Sequence, residues 1–470
     1  MHKVLFILFN LLFLSNSLLA AGVGKYSLDP EHVSQLKSDL KASQFSGFVT
    51  VADKNSILLQ EAFGLANVES QTLFNKSTQI DIGSISKTFT GLAVAKLIDA
   101  GKLNPDDTLS LYFADVPKDK ASVTIHQLLT HSAGFPGAVG DDYDYVTQTQ
   151  FIDLALSATL LFKPGSGYEY SNVGFSLVTA IISKITQQNY EAWLQDLVIK
   201  PLKLQKTGYA RVYDPQIAES NMDGDILAQA SWGGTKPGWH LIGNGGMIST
   251  AADLVQMGRM ILQKPNQTML QPYVQETGGI SHYGYGIVME QDPVLGKMHW
   301  HNGGNNYFYT DFYTLPEQGL VVILHSNNPM TQSGATGRLL ATLRGKPLPP
   351  VSDVTTLPTI PLDSKTGKLA LGFLDAVKQK KSDAWQALLN RSAHPAFLAM
   401  APMEEHVQTH TMLHEEFKAH EFLSFRELQA DNGGIAELVI KTKPNNATYT
   451  LSVHYKYVDE EPVLTGIGIE

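Results

Sequence analysis

Runs of strand-forming residues occur in two widely separated parts of this 470-residue sequence, and the stretch between them is helical and rich in loops. The first runs are at 48–51 and 57–63, and a second set is at 285–289, 298–301, 307–314 and 320–325. Helically spaced apolar residues precede the first set, at 30–43, and follow the second, at 331–343. This order predicts an α+β domain whose sheet is assembled from both ends of its chain.

The segment after this domain is rich in proline and poor in large apolar residues. Its prolines are Pro347, Pro349, Pro350, Pro358 and Pro361. We therefore predict a main domain at 22–345, a semi-rigid linker at 346–364 and a separate domain at 365–470. In the domain at 365–470, apolar residues first have helical spacing and then alternate with polar residues in four runs. This pattern predicts a small α+β domain.

The N-terminus has the pattern of a secretory signal peptide. His2 and Lys3 precede an apolar run at 4–14, and the small residues Ala20 and Ala21 follow. The run is well short of the ~20 residues that a membrane-spanning helix needs. We therefore predict a signal peptide at 1–21 and a periplasmic or secreted protein without membrane contact after cleavage.

Composition excludes several classes of protein. The sequence has no cysteine, so disulfides, a thiol nucleophile and a lipid-modified cysteine are all excluded. A net charge of -10 without any run of lysine or arginine gives no electrostatic reason for binding nucleic acid. We predict a soluble protein without a nucleic-acid partner.

Ser84 and Lys87 form a candidate catalytic pair. A strand-like run at 78–82 passes through Gly83 into helical spacing at 84–103, so residues 84 and 87 share one helical face. An amine three residues away can hydrogen-bond a serine hydroxyl and accept its proton, provided that burial lowers the amine pKa toward neutrality. The alternative interpretation of Ser84 is an ordinary helix N-cap.

Two further motifs carry side chains suited to the same chemistry. Tyr170-Ser171-Asn172 follows a Pro-Gly turn, where an extended loop points Tyr170 and Asn172 the same way. A phenol can relay a proton, and a carboxamide can bind a substrate amide. His301-Asn302-Gly303-Gly304 ends a predicted strand, where glycines let a substrate backbone lie close to the strand edge.

Together these motifs resemble the serine β-lactamase and penicillin-binding protein superfamily, in particular the branch of class C β-lactamases, DD-peptidases and related esterases. The three motifs occur in the family's order. Three further segments, 128–134, 244–247 and 249–254, are also similar to family segments, and the resemblance spans residues 33–343. It implies a five-stranded antiparallel sheet flanked by helices, an all-helical lobe and a site between them.

The resemblance also implies roles. Ser84 attacks a carbonyl and forms an acyl-enzyme, Lys87 and Tyr170 share the proton transfers, and Asn172 holds the substrate amide. The backbone N–H groups of Ser84 and Gly304 hold the oxyanion. Which of Lys87 and Tyr170 is the general base stays open at this point, as does the route of deacylation. No metal and no organic cofactor is implied.

His301 departs from the family pattern, because many relatives have lysine at that position. A histidine is a weaker, pH-dependent anchor for a substrate carboxylate. We therefore expect an esterase or D-peptide hydrolase ahead of an efficient β-lactamase, with activity on carboxylate-bearing substrates falling above about pH 6.5. The alternative, from a different class, is a catalytically weak binding or regulatory module.

The C-terminal domain carries His406, His410 and His414 on one predicted helical face. We expect a solvated polar face ahead of a metal site, because no known ligand pattern accompanies these histidines. The order of a long helix and several strands loosely resembles a nuclear-transport-factor-two-like cone. Such a domain is a candidate for dimerisation or for binding another component.

Overall fold

The structure is a computed structural model, and it describes most of the chain. The described residues are 24–68, 70–209, 237–263, 268–276, 281–305, 307–328, 333–345, 363–398, 403–430, 433–442, 448–458 and 461–469. The predicted signal peptide and nearly all of the predicted linker lie outside them. Contacts divide the chain into two compact units, Met1–Leu348 and Pro349–Glu470. No helix in the described part combines the length and the apolar character needed to cross a membrane.

The described part of the first unit has nine helices and twelve strands. Its helices are α1 (Pro30–Ala42), α2 (Ser86–Asp99), α3 (Leu109–Tyr112), α4 (Ile125–Leu129), α5 (Gln148–Ser157), α6 (Asn172–Thr186), α7 (Tyr190–Leu194), α8 (Ala251–Gln263) and α9 (Ser333–Leu343). Its strands are β1 (Gly47–Ala52), β2 (Ile57–Phe63), β3 (Leu65–Asn67), β4 (Thr72–Leu73), β5 (Ile80–Asp81), β6 (Ile248–Ser249), β7 (Val274–Gln275), β8 (His282–Tyr283), β9 (Val288–Asp292), β10 (Gly296–Gly304), β11 (Tyr309–Leu315) and β12 (Leu320–Ser326).

The main sheet confirms the predicted α+β class, with more strands than expected. Eight described strands pair antiparallel in the order β2-β1-β12-β11-β10-β9-β8-β7, where the resemblance implied five. The sheet is larger because β9 pairs with the first half of β10 and two-residue strands continue beyond it. Residues 285–287, predicted as strand, are instead a turn with Gly286 at φ +73°.

Apolar residues on the two faces of this sheet form separate cores. One core joins α1 and α9 to one face through Leu40, Val49, Val322 and Leu339. The other joins helices α2 to α8, which we call the helical lobe, to the opposite face through residues such as Ile323. Adjacent residues 322 and 323 belong to different cores because side chains alternate along a strand. The site lies on the face that meets the helical lobe.

The second unit consists of helices followed by a four-stranded antiparallel sheet. Its helices are α10 (Lys365–Lys378), α11 (Asp383–Ser392), α12 (Pro395–Leu398) and α13 (Met403–Phe417), and its strands are β13 (His420–Ala430), β14 (Gly433–Thr442), β15 (Thr448–Val458) and β16 (Glu461–Ile469), paired in sequence order. Ser364, inside the predicted linker, caps α10. The likeness to a nuclear-transport-factor-two-like cone stays a prediction.

The expectation of a solvated histidine face on α13 is wrong. His406, His410 and His414 are buried, with only 6%, 1% and 8% of their surfaces exposed. His410 and His414 donate hydrogen bonds to the carbonyl oxygens of Ala376 and Val377, at 3.1 and 2.9 Å. These carbonyls belong to the last turn of α10, where few backbone donors are left; the Gln379 N–H also donates to the Ala376 carbonyl, at 3.2 Å. In the described part of the chain, no cluster of ligating side chains is arranged to hold a metal.

Candidate active site

Ser84 lies in a tight turn between a short strand and a long helix. Residues Gly83–Ile85 form a 3₁₀ turn that joins β5 to α2. Gly83 has φ +47°, in the region that favours glycine, and its N–H donates to Asp81 Oδ1 at 2.7 Å. No side-chain capping hydrogen bond is made at the start of α2. The interpretation of Ser84 as an ordinary N-cap is therefore not supported.

Lys87 reaches Ser84 from the first turn of α2. Its Nζ donates to Ser84 Oγ at 3.0 Å, to Asn172 Oδ1 at 2.7 Å and to the Asn244 carbonyl oxygen at 3.0 Å. The side chain is fully buried, and burial lowers the pKa of Lys87 well below its usual value, while Asp142 opposes this shift. A buried lysine with a lowered pKa is suited to accept a proton from the serine hydroxyl.

Tyr170 and Asn172 lie where α6 begins. Asn172 is the first residue of α6, and its N–H donates to the Gly137 carbonyl at 2.7 Å. The Tyr170 ring lies under the amine of Lys87, at 4.7 Å, and its hydroxyl hydrogen-bonds to Ser84. Burial raises the pKa of Tyr170, and the bond to Ser84 partly opposes this shift. The structure thus brings Ser84, Lys87, Tyr170 and Asn172 together.

The end of β10 packs against the Ser84 turn, backbone against backbone. A Cβ atom on Gly303 would lie 2.0 Å from the Ile82 carbonyl oxygen and 2.6 Å from the Ser84 nitrogen. A Cβ atom on Gly83 would lie 2.4 Å from the Gly304 nitrogen. The space beside Gly303, where substrate was expected, is therefore occupied by the protein's own backbone. This contact places the Ser84 nitrogen beside Gly303 and the Gly304 nitrogen beside Gly83.

His301 does not fit the predicted role of a pH-dependent cation. It is only 2% exposed, and its Nδ1 donates to the Asn302 carbonyl oxygen at 2.5 Å. Nε2 therefore accepts from the Tyr283 hydroxyl at 2.8 Å. Burial lowers the pKa of His301 to about 3, with Lys87 adding to the shift. With this pKa the imidazole is already neutral at pH 6.5. No charge is lost above that pH, so the loss of activity that the sequence predicted is not expected.

Ser84 and Asn172 open into a small cavity of about 60 Å³. It is lined by Asp81, Gly83, Ser84, Asp142, Asn172, Leu241, Asn244, Gly245, Gly246, Gly304 and Asn305. A larger cavity of about 720 Å³ borders β8, β9 and β10, but no predicted site residue lines it. Size alone does not mark a reactive site, so the cavity that contains Ser84 is the candidate active site.

Sequence reasoning missed four residues of this site. Asn244, Asp142 and Tyr283 act through contacts with residues far away in the sequence. The fourth is His131, a buried residue at φ +58° whose Nδ1 accepts from the Ser171 N–H at 3.0 Å. Its ring lies 4.3 Å from that of Tyr170, so it fixes the loop that carries the phenol. The only signal was that Asn244 and His131 lie in segments similar to family segments.

Acid is expected to destabilise the first unit, because the unit contains buried imidazoles. Burial lowers the pKa values of His301 and His325 to about 3, whereas an unfolded histidine has a pKa of about 6.5. Between these values the unfolded chain binds more protons, so stability is lost as pH falls below 6.5. Each imidazole should contribute about 2 kcal/mol to the loss between pH 7.5 and 5.0.

Urea unfolding at these two pH values measures this effect, and His325→Asn isolates one imidazole. The asparagine can still hydrogen-bond to Thr310, the partner of His325 at 2.8 Å. The variant should lose less stability on acidification than the parent, by about 2 kcal/mol. An unchanged difference between pH 7.5 and 5.0 would contradict the burial argument.

The chain belongs to the beta-lactamase family. A family model described as Beta-lactamase matches residues 35–345, which is nearly the whole of the first unit. The membership inferred from the three motifs is thereby confirmed. The β10 and Ser84 turn, the helical lobe and the cavity all lie within the matched residues.

Among curated relatives, the chain is similar to penicillin-binding protein 4* of Bacillus subtilis (strain 168), with 25% identity over 290 residues. The match covers 56% of this chain and spans 63% of that relative's length.

Two solved structures resemble the fold. The octameric penicillin-binding protein homologue from Pyrococcus abyssi matches 92% of this chain and 94% of its own, with 20% identity and a TM-score of 0.60. The D-stereospecific amidohydrolase from Streptomyces sp. matches 67% of this chain and 98% of its own, with 20% identity and a TM-score of 0.54. At these identities the likeness is one of fold.

Proposed function

We propose that this protein is an exported serine hydrolase that forms an acyl-enzyme at Ser84 and cleaves an ester or a D-peptide bond. One observation carries the proposal: a fully buried lysine amine lies 3.0 Å from the Ser84 hydroxyl oxygen, within hydrogen-bonding distance. A serine needs an adjacent base to become nucleophilic, and this amine is both adjacent and desolvated. Export rests on the predicted signal peptide alone.

The pKa shifts favour different roles for Lys87 and Tyr170. Burial lowers the pKa of the amine and raises that of the phenol. A neutral amine accepts a proton readily, whereas a phenol with a raised pKa holds the one it has. We therefore assign the general base to Lys87 and the passage of a proton to the leaving group to Tyr170.

The proposed reaction has two stages. The Ser84 proton moves to Lys87 while Oγ bonds to the substrate carbonyl carbon, and the N–H groups of Ser84 and Gly304 stabilise the resulting oxyanion. The carbonyl re-forms, the bond to the leaving group breaks, and that group takes the proton from Lys87 through Tyr170. Water then hydrolyses the acyl-enzyme, which releases the acid and restores the serine. Asn172 holds the substrate amide.

Covalent labelling tests the proposal. A fluorophosphonate and a fluorescent penicillin should each add one adduct to the protein, located on Ser84 by peptide mass spectrometry. Ser84→Ala should abolish the adduct. The control Ser86→Ala, at a serine whose hydroxyl donates to the Gly83 carbonyl, should keep it if the variant remains folded by circular dichroism. Labelling that survives Ser84→Ala would refute the proposal.

Failure of both reagents on the folded parent would support the binding or regulatory module instead. Esters and D-peptides are the two candidate classes of substrate. A panel of p-nitrophenyl esters, D-alanyl peptides and a chromogenic cephalosporin would rank them by rate, and the cephalosporin should be the slowest.

A further inference from the structure

The larger cavity that borders β8, β9 and β10, which we call the β10 cavity, is separate from the one at Ser84. Its volume is about 720 Å³, within the range of ~300–1,000 Å³ that is typical of sites for small molecules. In the described part of the chain, no residue lines both cavities. The chemistry proposed at Ser84 therefore makes no use of the β10 cavity.

The sheet forms the floor of the β10 cavity. His282 and His299 both pair with Met289 across adjacent strands, and Gln291 pairs with Lys297 two residues further along. Paired residues share a face of the sheet, as do residues two apart on one strand. All five residues line the cavity. Because strands hold side chains at fixed spacings, the fold itself preforms this floor.

His299 is the buried polar side chain of the floor. Only 6% of its surface is exposed, and its Nδ1 has no hydrogen-bond partner among the described residues. Burial lowers the pKa of His299 to about 4, so near pH 7 the ring is neutral and carries one proton. Buried N–H groups without a partner are rare, and we therefore assign this proton to Nε2. His299 then offers a hydrogen-bond donor to the cavity that it lines.

The same tautomer disfavours a metal ion on His299. A metal at Nε2 would move the proton to Nδ1, and histidines that bind metals normally donate that second N–H to an acceptor. Nδ1 has no such acceptor in the part of the chain that the structure describes. The partner that suits Nε2 is an acceptor oxygen on an organic ligand.

The lining of the β10 cavity carries charges of both signs. Lys297 lies two residues from His299 on the same face of β10, and the acidic residues of the lining are Glu290 and Glu317. Within the described ranges, none of these three charged side chains forms an ion pair. The Lys297 N–H donates to Glu317 Oε2 at 2.9 Å. The charges of Lys297 and Glu317 shift the pKa of His299 in opposite directions, so both lie near the imidazole.

These charges indicate the class of ligand. Lys297 and the donor of His299 together suit a carboxylate, because hydrogen bonds between charged groups are the strong ones. The two glutamates would repel a simple anion, and Lys297 would repel a simple cation. A molecule that carries both a carboxylate and an ammonium group is attracted by both signs. A cavity of this size holds a molecule larger than a single small amino acid, and Leu270 and Met289 offer it apolar contact.

We infer that the β10 cavity binds a short peptide with free amino and carboxyl termini, its carboxylate at Lys297 and His299 and its ammonium group at Glu317. This binding site is additional to the proposed hydrolase. It does not depend on Ser84, so it can be tested in a protein that lacks the nucleophile.

Isothermal titration calorimetry with L-trialanine tests the inference. The full-length protein carries Ser84→Ala, so that turnover cannot consume the peptide. Trialanine with free termini should bind at least about tenfold more tightly than its N-acetyl or its C-terminal amide derivative, because each cap removes one charged contact. Absence of binding at millimolar peptide, or equal binding of the capped derivatives, would overturn the inference.

Two positions on β10 locate the bound peptide. Lys297→Gln should weaken binding of free trialanine about tenfold and leave binding of the C-terminal amide within about twofold. His299→Phe keeps a ring but loses the donor, and it should also weaken binding about tenfold. His299→Gln keeps an N–H group and should stay within about threefold of the parent. Thermal unfolding measures whether each variant is folded.

Lys102→Gln is the matched control, since it removes the same charge from an exposed position outside both cavities. It should bind free trialanine as tightly as the parent. Lys297 is itself exposed, so its variant tests the site even if His299→Phe does not fold. Unchanged binding in Lys297→Gln would place the peptide elsewhere, for example at the Ser84 cavity, and would refute the assignment.

Discussion

Replacing Lys87 with methionine is expected to slow acylation of Ser84 by about 10²- to 10⁴-fold, the usual contribution of a general base. The methionine keeps much of the side chain's volume but removes the amine that hydrogen-bonds to Ser84 Oγ, Asn172 Oδ1 and the Asn244 carbonyl. The rate of fluorophosphonate labelling measures the effect. In the parent this rate should rise with pH as Lys87 loses its proton, and in the variant that rise should disappear.

The matched control is Lys96→Met, at a half-buried lysine in the last turn of the same helix. It should label at the rate of the parent, and thermal unfolding should show that both variants remain folded. A Lys87→Met variant that is folded and labels normally would transfer the role of base to Tyr170. In that case Tyr170→Phe, and not the lysine variant, would abolish labelling.

A single methyl group on Gly303 is expected to reduce activity by at least about 10²-fold, because misplacing a reacting atom by about 1 Å costs that much. The new Cβ would overlap the backbone of Ile82 and Ser84, at 2.0 and 2.6 Å, and backbone cannot move aside as a flexible side chain can. Stability should also fall, by about 1–3 kcal/mol, as in other overpacked sites. Substrate turnover and urea unfolding measure the two effects.

Gly337→Ala is the matched control. This glycine is exposed on α9, and an added Cβ meets no described atom within 4 Å. It should keep full activity and gain about 0.5–1 kcal/mol, as expected for alanine in place of glycine within a helix. A fully active Gly303→Ala variant would show that the close approach of β10 to the turn is not needed for catalysis.

The parts of the site that depend on neighbouring residues were predictable from the sequence. Ser84 and Lys87 are three residues apart at a helix start, and any helix there brings their side chains together. The sheet was also predictable in outline, because runs of strand-forming residues occur at both ends of the domain's sequence. Its last strands were not, since β7 and β8 are two residues each and too short to show a pattern.

The errors arose where burial by distant residues decides the chemistry. His301 was expected to be a weak, pH-dependent anchor for a carboxylate, but the hydrogen bond from Tyr283 on β8 and the surrounding protein keep it neutral. The histidines of α13 were expected in solvent, because the sequence does not show that the carbonyls at the end of α10 face them. Asp142 gave no signal at all, since it lies in a segment without helical or strand spacing.

The contact between the Ser84 turn and the end of β10 also bears on how this protein can change. Because the backbones at Gly83 and Gly303 are in contact, a side chain at either position would overlap with backbone atoms. Substitutions there cannot make small changes in the position of the Ser84 side chain. The exposed segment with Asp142, Tyr143 and Tyr145 has no such constraint. Natural substitutions that change substrate selectivity are therefore expected in that segment. A designed library should randomise the same segment and keep the reactive serine and its turn unchanged.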